Sequence, residues 1–416
     1  MNYLRNRARQ TALAAIWVCV IISGPSKHAH ADESTHAVTW SQIAAAVDAL
    51  PVFAQQKQEL NAERAVIDTE KSAPNPTAEI SVARGHSDTE ADTALEWGVA
   101  LNIPLDWIVT RNARVSVAEA SLRVREENRK LLKREILFEL RSLFWQLVYA
   151  QEHTRMLNEL LQQTNTLTQT IQTRVERGEA RPMELTRVQL EFEKVALERD
   201  ASQKKTETLA QKLEYWLGAN KPVVAVGSLK PQEGVASLRE TAPQLRTHPE
   251  ILRAKSELDT ATAQVRVEKK SRFPELSVTL FAENELDKTS IGAGIEFGLP
   301  LWNFQQGAIR RAESNAAAKK TEIEVITRRL QREFIDASGR CEASTYQAVQ
   351  FELRIIPKVA NVAAKTDRAY ALGEASLLEV INAHRDVLET QTLLLETQLQ
   401  ARLDCSDLSA LMSTED

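Results

Sequence analysis

Glu184 and Glu379 each stand six residues after a glycine, and each glycine opens the same tripeptide, Gly178-Glu179-Ala180 and Gly373-Glu374-Ala375. Glycine at such a position suits the end of a helix where the chain reverses, because left-handed backbone brings no Cβ clash there. Two chemistries fit the carboxylates that follow. Ser376-Leu-Leu-Glu379 is a capping box, and Pro182 with Glu184 suits the first turn of a helix. Carboxylates gathered in several copies at a narrow place would also favour cations.

Cys341 and Cys405 lie 32 residues before and 32 after Gly373, so an antiparallel hairpin turning at that glycine would bring them to one height. Cys341 is in step with Leu330, Phe334, Ala337 and Ala348, and Cys405 with Leu394, Ala401 and Leu408. A disulfide and two buried free thiols are both consistent with this spacing. Other chemistry is absent. His36, His86, His153, His248 and His384 form no ligand pairs, and Met156, Met183 and Met412 are scattered, so no metal site is expected. No P-loop, nucleophile elbow or His-Glu-x-x-His occurs, which argues against an enzyme and against a cofactor.

The elements that must position these residues are long. Among 416 residues only 13 are Gly and 13 Pro, aromatics are 5% and charged residues 26%, a composition of solvated helices rather than a compact globule. Arg5, Arg7 and Arg9, an apolar run from Ala12 to Ser23 and Ala29-His30-Ala31 read as a signal peptide over 1–31. Its removal takes four basic residues and no acids, moving the net charge from −5 to −9, so nucleic acid is not expected as a partner. Beyond it no apolar run is long enough for a transmembrane helix.

The mature chain then states its pattern twice. Pro51 and Pro76 recur as Pro249 and Pro274, Ile103-Pro104-Leu105 as Leu299-Pro300-Leu301, and the Gly-Glu-Ala turn recurs 195 residues on. The expected organisation is a first repeat over 32–217, an irregular connector over 218–247, a second repeat over 248–408 and a tail over 409–416. Each repeat reads as helix, two strands, very long helix, turn and long helix. The first long helix spans 107–175 with a seam running from Ile136 through Leu147, Leu157 and Thr164 to Val175, which calls for a helical partner at 182–217. The second spans 303–370, bent near Pro357, with its partner at 376–408, and a helix over 40–72 opens the chain.

Strands are expected at 77–84 and 94–103, and again from Leu276 and from Ile291. Leu95, Trp97, Val99, Leu101 and Ile103 share one face, while Glu96, Gly98, Ala100 and Asn102 share the other. An apolar face backed by a small or polar one, four times in an exported chain, is the pattern of an outer-membrane barrel strand. Four strands cannot close a barrel, so other subunits must complete it, and three copies would give twelve. Trp107 and Trp302, just past the strand ends, suit either the inner edge of a bilayer or packing at the junction.

Taken together, Ile103-Pro104-Leu105-Asp106, Leu299-Pro300-Leu301-Trp302, the basic residues at Arg111/Arg114 and Arg310/Arg311, and Tyr370-Ala-Leu-Gly373-Glu-Ala-Ser376-Leu-Leu-Glu379-Val380 resemble the TolC-like outer-membrane factors. Within that family the chain is similar to the CzcC- and CusC-like heavy-metal efflux group. The resemblance implies a mainly α fold with a small β part: duplicated coiled-coil hairpins and four strands of a trimeric twelve-stranded barrel in the outer membrane, with a helical tunnel in the periplasm. It implies a homotrimer working with a periplasmic adaptor and an inner-membrane RND-type pump, conducting heavy-metal cations passively. Gly178, Glu179, Gly373 and Glu374 become the tip that meets the adaptor, and Glu184, Tyr370 and Glu379 candidates for the tunnel gate. The family's latch is not intact, since Ala375 replaces its arginine and Asn382 a second acid. Drug-efflux or type I secretion ducts, and a soluble periplasmic coiled-coil adaptor, are the alternatives.

Overall fold

The computed structural model describes residues 36–86, 93–219, 221–231, 246–273, 275–285, 288–299 and 301–412. The expected signal peptide, Pro274, Pro300 and most of the second half of the connector lie outside these residues.

The helices obey the spacing that encodes them. α3 (Trp107–Glu176) is an uninterrupted helix of 70 residues, and a reversal leads into α4 (Pro182–Leu217). In α3 the buried positions Ala150, Leu157, Thr164 and Ile171 recur every seven residues, facing Val188, Val195, Ser202 and Leu209 of α4 at the same interval. A seven-residue period keeps one seam turned to one partner over many turns. The second hairpin pairs α6 (Gln306–Gln350) and α7 (Ile356–Ala371) with α8 (Leu377–Leu411). A π-helical turn, Phe351–Ile355, separates α6 from α7 just before Pro357. The missing N–H and bulky ring of proline cannot be fitted into a regular ladder, and the wider turn absorbs both.

Three expectations are corrected. The helix read over 40–72 is broken: α1 (Trp40–Ala46), a short 3₁₀ turn and α2 (Pro51–Lys71), because Leu50 precedes Pro51 and is extended at ψ 143°. The connector is not wholly irregular, since β4 (Val223–Ala225) pairs in parallel with β1 (His36–Val38). The last helix runs to Leu411, into the segment read as a tail from 409.

The strands form one antiparallel sheet in the order β2 (Thr77–His86), β3 (Thr93–Pro104), β5 (Leu276–Glu285), β6 (Lys288–Phe297). The two hairpins join through β3 and β5, with Leu101 opposite Leu280. Alternation then gathers Ile80, Val82, Trp97, Val99, Leu101, Ile291 and Ile295 on one face, and all of them are exposed. The opposite face carries Glu79, Glu96, Glu283, Glu285 and Glu296, with Lys288 opposite Glu285, together with small residues, and Gly292 leaves room for the ring of Phe281. β2 and β6 are unpaired along their outer edges among the described residues. No helix among the described residues is long and apolar enough to cross a membrane.

Side chains pack in three stations along the rods. One joins α5 (Pro249–Lys270), α6 and the end of α8 around Ile251, Leu330, Phe334, Cys341 and Leu408. A second joins α1, α2, α3, α4 and β4 around Phe53, Phe144, Leu147 and Leu213. The third lies at the hairpin tips.

Candidate functional site at the hairpin tips

Both tips turn in the same way. Gly178 and Gly373 take φ of +76° and +78°. The N–H of Glu179 donates to the Arg174 carbonyl at 2.7 Å and that of Glu374 to the Ala369 carbonyl at 2.8 Å. This bond reaches back five residues over a left-handed glycine and satisfies a carbonyl that the helix end leaves free. Gly178, Glu179, Gly373 and Glu374 are all exposed, beside the exposed side chains of Met183 and Leu372.

The two matched glutamates do different things. Ser376 donates to Glu379 Oε2 from its N–H at 2.6 Å and from its hydroxyl at 2.9 Å, and the Glu379 N–H donates back to Ser376 Oγ at 3.4 Å. These bonds hold the Glu379 carboxyl below its usual range, so the group is an ionised cap. Glu184 sits in the first turn of α4, half-buried, where a carboxylate suits the helix dipole. Its charge is felt by Tyr370 on the other hairpin.

Tyr370 is the centre of the tip. Arg174 Nη1 donates to its hydroxyl at 3.2 Å, and the guanidinium carbon lies 5.6 Å from the ring centroid. Burial pushes the hydroxyl pKa up, Arg174 pulls it down and Glu184 pushes it up again. Beneath it Ile171 and Val188 of the first hairpin are buried against Leu377 and Ile381 of the second. A second tie follows up the rods, where Arg385 donates to Glu191 at 2.6 Å. Between the hairpins a groove of about 740 Å³ is lined by Glu191, Glu198, Asp367, His384, Arg385 and Glu389 among others.

Sequence reasoning missed Arg174, Glu191 and Arg385. A signal existed: Arg174 and Tyr370 are 196 residues apart and Glu191 and Arg385 are 194, each within one of the 195-residue offset of the tip glycines. Duplicated hairpins packed side by side bring near-equivalent positions face to face. The cysteines do not belong to the tip. The structure joins Cys341 to Cys405, with Cα atoms 4.7 Å apart, roughly 50 Å up the rods at 1.5 Å per residue.

A helical wall of paired hairpins carrying a sheet with an apolar outer face defines a class of protein, the outer-membrane duct. The outer membrane efflux protein family model matches residues 44–219 and 244–414, and the chain belongs to that family. The cobalt-zinc-cadmium resistance protein CzcC of Cupriavidus metallidurans is 23% identical over 344 residues, covering 80% of each chain. Among solved structures, CusC superposes with a TM-score of 0.75 at 17% identity, covering 96% of this chain and 99% of the other. The outer membrane protein VceC of Vibrio cholerae gives 0.73 at 14% identity, covering 89% and 95%. The fold is therefore that of the TolC-like channels, and the chain is a channel protein of the outer-membrane efflux type.

Proposed function

We propose that this chain is the exit duct of a tripartite heavy-metal efflux system: a homotrimer in the outer membrane whose helical tunnel crosses the periplasm and meets an adaptor and an RND-type inner-membrane pump at its tips. One observation carries the reading. The four-stranded sheet has an exposed apolar face and two open edges. β2 and β6 run in opposite directions, so the β6 edge of one copy can pair antiparallel with the β2 edge of the next. Open edges and lipid are incompatible, and three copies remove every edge with twelve strands. Residues 1–31 are then the export signal, and conduction is passive.

The similarity to a cobalt-zinc-cadmium resistance protein supports metal cations as cargo. The five strand glutamates on the inner face of the sheet, Glu79, Glu96, Glu283, Glu285 and Glu296, outnumber Lys288 beside them and suit a cation path. In a strain lacking its own metal-efflux duct, this chain expressed with a metal-type pump and adaptor should restore tolerance to zinc, cobalt or cadmium. Restored drug tolerance alone would favour the drug-efflux alternative. A folded, membrane-inserted monomer in native mass spectrometry would overturn the duct reading itself.

A further inference from the structure

All four junctions between helix and strand leave one edge of the sheet. Thr77 lies opposite Asn102, Pro104 opposite Ser277 and Leu276 opposite Phe297, and the N–H groups of Leu105 and Asp106 donate to the Leu276 carbonyl. The four stretches at this edge, 64–75, 105–114, 264–275 and 299–313, hold ten Lys or Arg against six Asp or Glu. That is net +4 in a chain whose total is −5.

Part of this charge has an internal explanation. Lys71, Lys269 and Lys270 stand in the last turns of α2 and α5, where cations suit the helix dipole. Arg114 pairs with Glu70 at 3.1 Å, and Lys269 with Glu313 at 2.7 Å. Arg310 and Arg311 have no such explanation, and Arg272, one residue past the C-cap of α5, has only that of the dipole. All three are exposed, and none makes an ion pair among the described residues. Arg310 and Arg311 lie in the second turn of α6, whose first turn has no acid and whose N-cap makes no side-chain bond. With no carboxylate partner among the described residues, these guanidiniums are open to an anion from outside the chain.

The neighbouring side chains indicate where that anion is held. Trp302 is 91% exposed, and Phe273, Leu301 and Phe304 are exposed beside it. In the chain they flank Leu276 and Phe297, the exposed residues where the apolar face ends at its helix-side edge. Aromatic rings and basic side chains below a lipid-facing surface are the chemistry of a membrane–water interface.

We propose that this collar is a docking surface for anionic phospholipid headgroups of the leaflet on the helix side of the outer membrane. Arg272, Arg310 and Arg311 hold the phosphates and Trp302 seats at the headgroup level. The proposal rests on the membrane-channel reading above. The test compares the intact protein with Arg272→Gln/Arg310→Gln/Arg311→Gln and with the matching triple Lys variant. Each is reconstituted into vesicles of phosphatidylcholine alone or with phosphatidylglycerol. Thermal stability is read there, and bound lipid is counted by native mass spectrometry.

Phosphatidylglycerol should raise the melting temperature of the wild type and the Lys variant, less so at high salt. The Gln variant should lose the preference, with affinity falling about fivefold per arginine removed. Inorganic phosphate should not reproduce the shift. An equal preference in the Gln variant overturns the proposal, as does stabilisation by free phosphate. Dissociation of the Gln variant into monomers also overturns it, and would assign the arginines to contacts between copies. Failure of the wild type to insert at all strikes the channel reading, whereas insertion without lipid preference strikes the collar alone.

Discussion

His248 shows how one residue reports on its surroundings. Its side chain caps α5, accepting from the Glu250 N–H at 3.2 Å, and it is buried. Burial first, and then the nearby Arg134 and Arg329, push its pKa down from 6.5 to about 4. The unfolded chain therefore binds more protons than the folded one between those values. Stability is whole above pH 6.5 and falls as the pH drops towards 4, by at most about 3 kcal/mol per chain. His248→Asn keeps a capping group without the titration, so it should flatten the part of the melting temperature's acid dependence that lies in this window. An unchanged profile would assign the loss to other groups.

At the same scale, the bond from Arg174 to Tyr370 ties one tip to the other. Arg174→Leu removes both the hydrogen bond and the cation above the ring, together worth about 1–2 kcal/mol at a partly buried site. If this contact holds the tip closed, conductance in planar bilayers should rise, with a several-fold larger open fraction in the folded variant. Glu379→Gln, by contrast, should weaken the helix start without that rise, because its carboxylate caps Ser376. Equal effects of the two changes would refute the division of roles.

At the scale of elements, the second hairpin is clamped at its upper end and interrupted below. Cys341 and Cys405 are 64 positions apart in the chain, and Arg340 pairs with Asp407 at 2.9 Å beside them. Lower down the π-helical turn and Pro357 break the helix that in the first repeat is continuous. A cross-link across such a loop restricts the unfolded chain and stabilises by up to about 4 kcal/mol in the chain-entropy model. Cys341→Ser/Cys405→Ser should accordingly lower the melting temperature and match the reduced wild type. Two free thiols per chain in the denatured, unreduced protein would rule the bond out.

For the whole molecule, the decisive matter is which way the sheet faces. Val99 and Ala100 are neighbours in β3 on opposite faces. Val99→Arg puts a charge on the apolar face, at a cost of about 2–4 kcal/mol near the middle of a bilayer, whereas Ala100→Arg points to the inner face. The first should impair insertion and trimer recovery from outer membranes, and the second should leave both and alter conductance. The reverse result would turn the sheet inside out.

Local spacing by itself determined the long helices, the alternating strands and the tip glycines, because each is written in residues a few positions apart, and the same local patterns recurring about 195 residues on gave the duplication. A seven-residue seam shows that Leu157 needs a partner, and a helix of 36 residues past a glycine turn supplies it. The duplicated pattern carried the family resemblance for the same reason. Contacts between the repeats were decided only in three dimensions. Each residue turns a helix by about 100°, so spacing places Cys341 and Cys405 at one height but cannot say whether they face each other. Arg174 and Tyr370, the parallel pairing of β1 with β4, and the depressed pKa of His248 likewise join segments far apart in the chain. A periodic pattern tells which face must be covered. What covers it depends on the rotation and stagger of whole elements, and those are settled by packing.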